Sequence, residues 1–176
     1  MTYREFLESK IELATDSGFE VDKSRINKAL KPHQSDAVAW ALKGGRRALF
    51  ESFGLGKTAQ EIEFCHLAAE HTGGRALIVL PLGVKQEFTR DAVELLGYEK
   101  PEYCRTMEEV ETSTSQIVLT NYERVRDGDI DPSYFAATSL DEASVLRSFG
   151  SKTYQTFLDK LSLIHISEPT RQAEIS

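Results

Sequence analysis

Glu51-Ser52-Phe53-Gly54-Leu55-Gly56-Lys57-Thr58 is the stretch whose reading decides the fold. It follows a short apolar run, Arg47 to Glu51, of strand length. It opens a segment, Thr58 to Glu70, in which Ala59, Ile62, Cys65 and Ala69 recur at helical spacing. Strand, glycine-containing loop and helix in that order are what a phosphate-binding loop requires. Gly54 and Gly56 let the backbone curl so that successive N–H groups face an anion. The helix adds the partial positive charge of its N-terminus. Lys57 would reach the β- and γ-phosphates of a nucleotide, and Thr58 would offer a hydroxyl to Mg²⁺. The strict pattern has glycine at the first of the eight positions, where Glu51 stands.

Outward from the loop the chain alternates. Ala76 to Leu80 and Gln116 to Thr120 are continuous apolar runs expected to be strands buried on both faces. Glu102 to Arg105 and Ala136 to Leu140 are weaker strand candidates. Val84 to Leu96 has Val84, Phe88, Ala92 and Leu95 in helical register, and Met107 to Glu111 is a short helix. Upstream, a helix is expected over Gln34 to Lys43, started after Pro32 and ended by Gly44-Gly45. Residues 2 to 16 also have helical spacing, and Asp22 to Asn27 reads as a connector. Alternating strands and helices predict an α/β fold, a P-loop NTPase with a mostly parallel sheet and flanking helices. Trp40, Phe50, Phe64 and Phe88 are expected in the core, with Tyr122 packing rather than stacking on a base.

A nucleotide site of this kind needs a carboxylate for Mg²⁺ and a base for water at the end of a neighbouring strand. Leu140-Asp141-Glu142-Ala143 follows the Ala136 to Leu140 run and fits. Asp141 would hold Mg²⁺, and Glu142 would orient and deprotonate the attacking water.

Composition narrows the remaining classes. With 176 residues and 40% hydrophobic content, one domain with a real core is expected. No apolar run approaches the ~18 to 20 residues of a membrane span, and a cytoplasmic protein without a membrane partner is expected. Two cysteines, Cys65 and Cys104, are too few for a disulfide framework or a zinc site, and both read as buried thiols. The net charge of −7 disfavours broad contact with nucleic acid and confines any such contact to one edge.

Five segments together resemble a family. Leu30-Lys31-Pro32-His33-Gln34 resembles the glutamine motif of superfamily 2 helicases and translocases. Phe53 to Thr58 is similar to the first motif of their Swi/Snf-type branch, in which an acidic residue commonly takes the position of Glu51. Ala76 to Leu82, Leu119-Thr120-Asn121-Tyr122-Glu123 and Leu140-Asp141-Glu142-Ala143-Ser144 resemble three further motifs in the family's order, and Ser151-Lys152-Thr153 the segment after them. The resemblance implies the first of two RecA-like domains over residues 30–160, preceded by a helical extension over 1–29. It implies Gln34 on the adenine, and Phe53, Gly54, Leu55, Gly56, Lys57 and Thr58 around the phosphates. It also implies ATP and Mg²⁺ as ligands, a nucleic-acid partner that is double-stranded DNA, and a second RecA-like domain of the same polypeptide. Ser144 stands where histidine is common, which puts coupling rather than binding in doubt. Compact members of this type are frequent in phages and prophages.

Residues 161–176, LSLIHISEPTRQAEIS, are similar to the translation of a transposase-end sequencing adapter. That likeness implies a domain incomplete at its C-terminus, with 161–176 outside the fold. The expected function is the ATP-binding half of a DNA-dependent ATPase, hydrolysis-deficient by itself. Lys57, Asp141 and Glu142 are its catalytic residues, Thr58 and Asp141 its metal ligands, and Lys85, Arg90, Arg124 and Arg126 its nucleic-acid contacts. A non-enzymatic, ATP-gated binding module and another P-loop NTPase, such as a small kinase or GTPase, are the alternatives.

Overall fold

The computed structural model describes residues 16–51, 55–143 and 163–169. In chain order its elements are α1 (Pro32–Gly44), β1 (Arg46–Glu51), α2 (Lys57–Thr72), β2 (Ala76–Val79) and α3 (Lys85–Arg90). There follow β3 (Glu102–Tyr103), α4 (Met107–Thr112), β4 (Ile117–Thr120), α5 (Tyr122–Arg126), β5 (Ala137–Asp141) and β6 (Leu163–Pro169). All described strand pairs are parallel, in the order β1-β6-β5-β2-β4-β3.

Helices cover both faces, so the strands carry two cores with period two. Ala76, Ile78, Ile117 and Leu119 pack with Val38 and Leu42 of α1, Ile62 and Phe64 of α2, and Phe88 of α3. Leu77, Val79, Val118 and Leu140 face the other way, onto Val110 of α4, Tyr122 and Val125 of α5, and Phe135. The expected core positions Phe64, Phe88 and Tyr122 and both cysteines are buried. Trp40 is not: it is 47% exposed, with the Arg47 guanidinium 5.3 Å from its ring. It sits on the outer side of α1, whose inner side is filled by Val38, Ala41 and Leu42.

The helix expected over Val84 to Leu96 is three pieces. A 3₁₀ turn, Leu82–Val84, leads into α3, and a π turn, Asp91–Leu95, follows it. The Leu96 N–H bonds the Asp91 carbonyl at 3.0 Å, five residues back. That extra residue rotates Leu96 into the core and leaves Leu95, expected inside, 48% exposed.

Residues 16–29, which include the expected connector Asp22 to Asn27, follow the segment expected to be helical. They form a strap with one 3₁₀ turn, Lys23–Arg25; residues 1–15 lie outside the described residues. The N–H groups of Ser17, Gly18 and Phe19 satisfy the carbonyls of Gly44, Lys43 and Leu42 at the end of α1. A side chain at Gly18 would place its Cβ 1.8 Å from the Leu42 oxygen, so only glycine allows this approach. Farther on, Asn27 N–H and Tyr98 Oη–H both donate to the buried Glu63 carboxylate, at 2.8 and 2.6 Å.

The exclusion of residues 161–176 from the fold also needs correction. Leu163–Pro169 forms β6, between β1 and β5, and it is the ladder partner of β1. Ladder hydrogen bonds are made by backbone groups, so an extended segment of β-favouring residues fits that slot whatever the origin of its sequence.

Candidate nucleotide site

The C-terminal ends of β1 and β5 and the N-terminus of α2 meet at one end of the sheet. Gly56 caps α2 in the left-handed conformation, φ 74° and ψ 42°, which turns the chain from loop to helix. A Cβ there would lie 2.3 Å from Gln34 Nε2. Gln34 Nε2 donates to the Leu55 carbonyl at 2.7 Å, while Gln34 Oε1 accepts the Lys31 N–H at 2.8 Å and so caps α1. Gln34 is therefore a buried brace that holds Leu55. These two bonds leave one Nε2 hydrogen and one Oε1 lone pair for a further contact. Gln60 Nε2 donates to the same Leu55 carbonyl at 3.4 Å. Phe53, Gly54, the Phe50 side chain, Ser144 and Ser151-Lys152-Thr153 lie outside the described residues.

Asp141 ends β5 and Glu142 follows with φ 50°, a left-handed conformation that costs a residue with a Cβ of order 1 kcal/mol. The Tyr122 hydroxyl of α5 donates to the Asp141 carbonyl at 2.6 Å and fixes the strand end. Burial pushes the Asp141 carboxyl up to about 6, and the neighbouring Glu142 charge pushes the same way; Lys57 and the Glu142 N–H oppose them. Lys57 and Asp141 are thus within electrostatic reach of each other, as the sequence reading requires.

The donor set is oxygen: the Thr58 hydroxyl, the Asp141 and Glu142 carboxylates, and Glu87, whose Oε1 accepts from Thr58 Oγ1 at 3.3 Å. Hard oxygen donors fit Mg²⁺. Among the described residues no cluster of His, Cys, Asp or Glu encloses a metal by itself. Glu87 was not legible in the sequence: it is one glutamate on a polar helix face, and only the packing of α3 brings it to Thr58.

No protein-family profile matches the chain, and no characterised protein matches it by sequence. Solved structures do. The UvsW helicase from bacteriophage T4 superposes with a TM-score of 0.66 at 16% identity, over 97% of this chain and 61% of that one. A second T4 UvsW structure gives 0.67 at 16% identity, over 97% and 35%. The SWI2/SNF2 ATPase core of Sulfolobus solfataricus, solved in complex with dsDNA, gives 0.65 at 19% identity, over 86% and 34%. The chain has the RecA-like fold that these helicase and ATPase-core structures share. The chain spans between about a third and three fifths of the length of these helicase-fold structures.

The four cations expected on nucleic acid are not brought together as a set. Lys85 and Arg90 line an open groove of about 1010 Å³ beside β3, with Lys100, Tyr103, Arg105 and Glu109. Lys85 Nζ lies 4.9 Å from the centre of the Tyr103 ring, and the Tyr103 hydroxyl donates to Asn121 Oδ1 at 3.1 Å. Arg124 also interacts with Tyr103, and it pairs with Asp129 at 2.9 Å. Arg90 and Arg126 pair with their sequence neighbours Asp91 and Asp127. Lys85 and Arg124 are the two that share a partner, Tyr103 at the end of β3.

Proposed function

We propose that this chain is the ATP-binding half of a DNA-dependent ATPase, a helicase or translocase that couples ATP hydrolysis to movement on nucleic acid. The observation that carries this reading is that Lys57, at the start of α2, lies within electrostatic reach of Asp141 at the end of β5, with Glu142 beside it. Backbone N–H groups at the start of α2 cradle the phosphates, and Lys57 offsets their charge. Thr58 and Asp141 would hold Mg²⁺, which would neutralise phosphate charge. Glu142 orients the attacking water and takes its proton.

Arginines of a second RecA-like domain stabilise the transferring phosphoryl group, an effect of roughly 10³ to 10⁵ in rate. By itself the chain therefore binds Mg²⁺–ATP weakly and hydrolyses it negligibly. Double-stranded DNA is the proposed track, met at Lys85, Tyr103 and Arg124. The dsDNA complex of the Sulfolobus core, which has the same fold, supports that choice. Titration with a fluorescent ATP analogue tests the reading. Saturable binding, lost in Lys57→Ala, is expected. DNA-stimulated steady-state turnover by this chain that disappears in Lys57→Ala would contradict the half-site reading.

A further inference from the structure

Glu87 has no part in the nucleotide site as read from sequence, yet its carboxylate accepts a hydrogen bond from the Thr58 hydroxyl. At 3.3 Å this bond is long, as such bonds often are before a ligand arrives. A hydroxyl that ligates a cation does so through an oxygen lone pair, so its proton must point at an acceptor elsewhere. A carboxylate in that position fixes the rotor and makes the oxygen a better donor to the metal. Glu87 is held there from behind. The next residue, Phe88, is buried in the core, and the π turn after α3 is anchored through Ala92 and Leu96. Glu87 is also near enough for its charge to act on Asp141.

We propose that Glu87 is a positioning residue for the metal ligand Thr58, taking the hydroxyl's hydrogen bond so that the oxygen lone pairs face the Mg²⁺ position. The proposal rests on the nucleotide-site reading above and adds a third protein carboxylate to it. α3 carries both Glu87 and Lys85, so one short helix joins the metal ligand to the groove beside Tyr103.

The test uses the full chain and a fluorescent ATP analogue, titrated once in Mg²⁺ and once in EDTA. The readout is the ratio of the two dissociation constants, with far-UV circular dichroism confirming the fold. Glu87→Ala is expected to lower the Mg²⁺-dependent gain about tenfold. Glu87→Gln, which keeps an acceptor without the charge, is expected to lower it about threefold. The EDTA value should stay within about twofold in both, because nothing but the metal ligand has lost its partner. An unchanged ratio, or equal weakening in Mg²⁺ and EDTA, overturns the proposal while leaving the nucleotide site intact. Failure of the unsubstituted chain to bind the analogue in either condition overturns the nucleotide reading, and this inference with it.

Discussion

The β5 end and the β3 edge of the same sheet handle charge in opposite ways. At the β5 end Asp141 is largely buried, crowded by Glu142, and followed by a residue in the left-handed conformation. At the β3 edge the charges are exposed, and Arg90, Arg124 and Arg126 pair with aspartates no more than five residues away. A desolvated charge is expensive by itself, so the β5 end suits a cationic ligand. An exposed ion pair is worth little and is easily exchanged for another anion, so the β3 edge suits a weak, sliding contact.

The largest effect separating the two regions should come from Lys57→Ala. Removing that cation is expected to cost about 2 kcal/mol, or about thirtyfold, in ATP-analogue affinity, with DNA binding unaltered. Equal losses in both would erase the distinction.

Asp141→Asn should come next, with two signs at once. It should abolish the Mg²⁺-dependent part of nucleotide affinity, yet raise the stability of the ligand-free chain at pH 7.5 by roughly 1 to 2 kcal/mol. The sign follows from the raised carboxyl. The folded state favours the protonated form, so wild-type stability falls as pH rises from about 4 to about 6 and stays lower above. The advantage of the asparagine variant should therefore be full above pH 6 and shrink toward pH 4, read as a difference in thermal midpoints. A variant no more stable than wild type at pH 7.5 would mean that Asp141 carries no desolvation cost.

The wild-type chain offers a third measure. Mg²⁺-dependent affinity should decline as pH is lowered through about 6, where a proton competes for Asp141, whereas affinity in EDTA should change less. A flat ratio from pH 7.5 to 5.5 would remove Asp141 from the metal site.

The smallest effects belong to the β3 edge. Lys85→Ala and Arg124→Ala should each weaken duplex DNA binding a few-fold at low salt and each reduce the salt dependence by about one unit of slope. Arg126→Ala should do neither. Comparable losses in all three would mean that the four cations act as one patch after all.

Much of the candidate nucleotide site was legible because its signals are local. Gly56-Lys57-Thr58 sits where a strand gives way to a helix, and Asp141-Glu142 ends an apolar run; both contexts are covalent neighbours of the residues they explain. The structure keeps the five strands expected from apolar runs for the same reason. What failed depends on contacts distant in sequence. Leu95 and Leu96 are equally apolar, and one π-turn hydrogen bond decides which enters the core. Trp40 was expected inside because of its size, but α1 had already filled its inner face with smaller residues. β6 escaped because its residues were set aside, although the slot beside β1 makes its ladder bonds through backbone groups that most sequences can supply.

By itself, then, the sequence determined the alternation of strands and helices, the phosphate loop and the acidic pair, since each follows from propensity, glycine placement and hydrophobic period over a few adjacent residues. Only the tertiary structure decided that Gln34 braces Leu55, that Tyr122 fixes the Asp141 carbonyl, and that Glu87 meets Thr58. Those contacts join residues 19 to 29 positions apart. Their geometry is set by how helices pack on a shared sheet, a constraint that no local stretch of sequence carries.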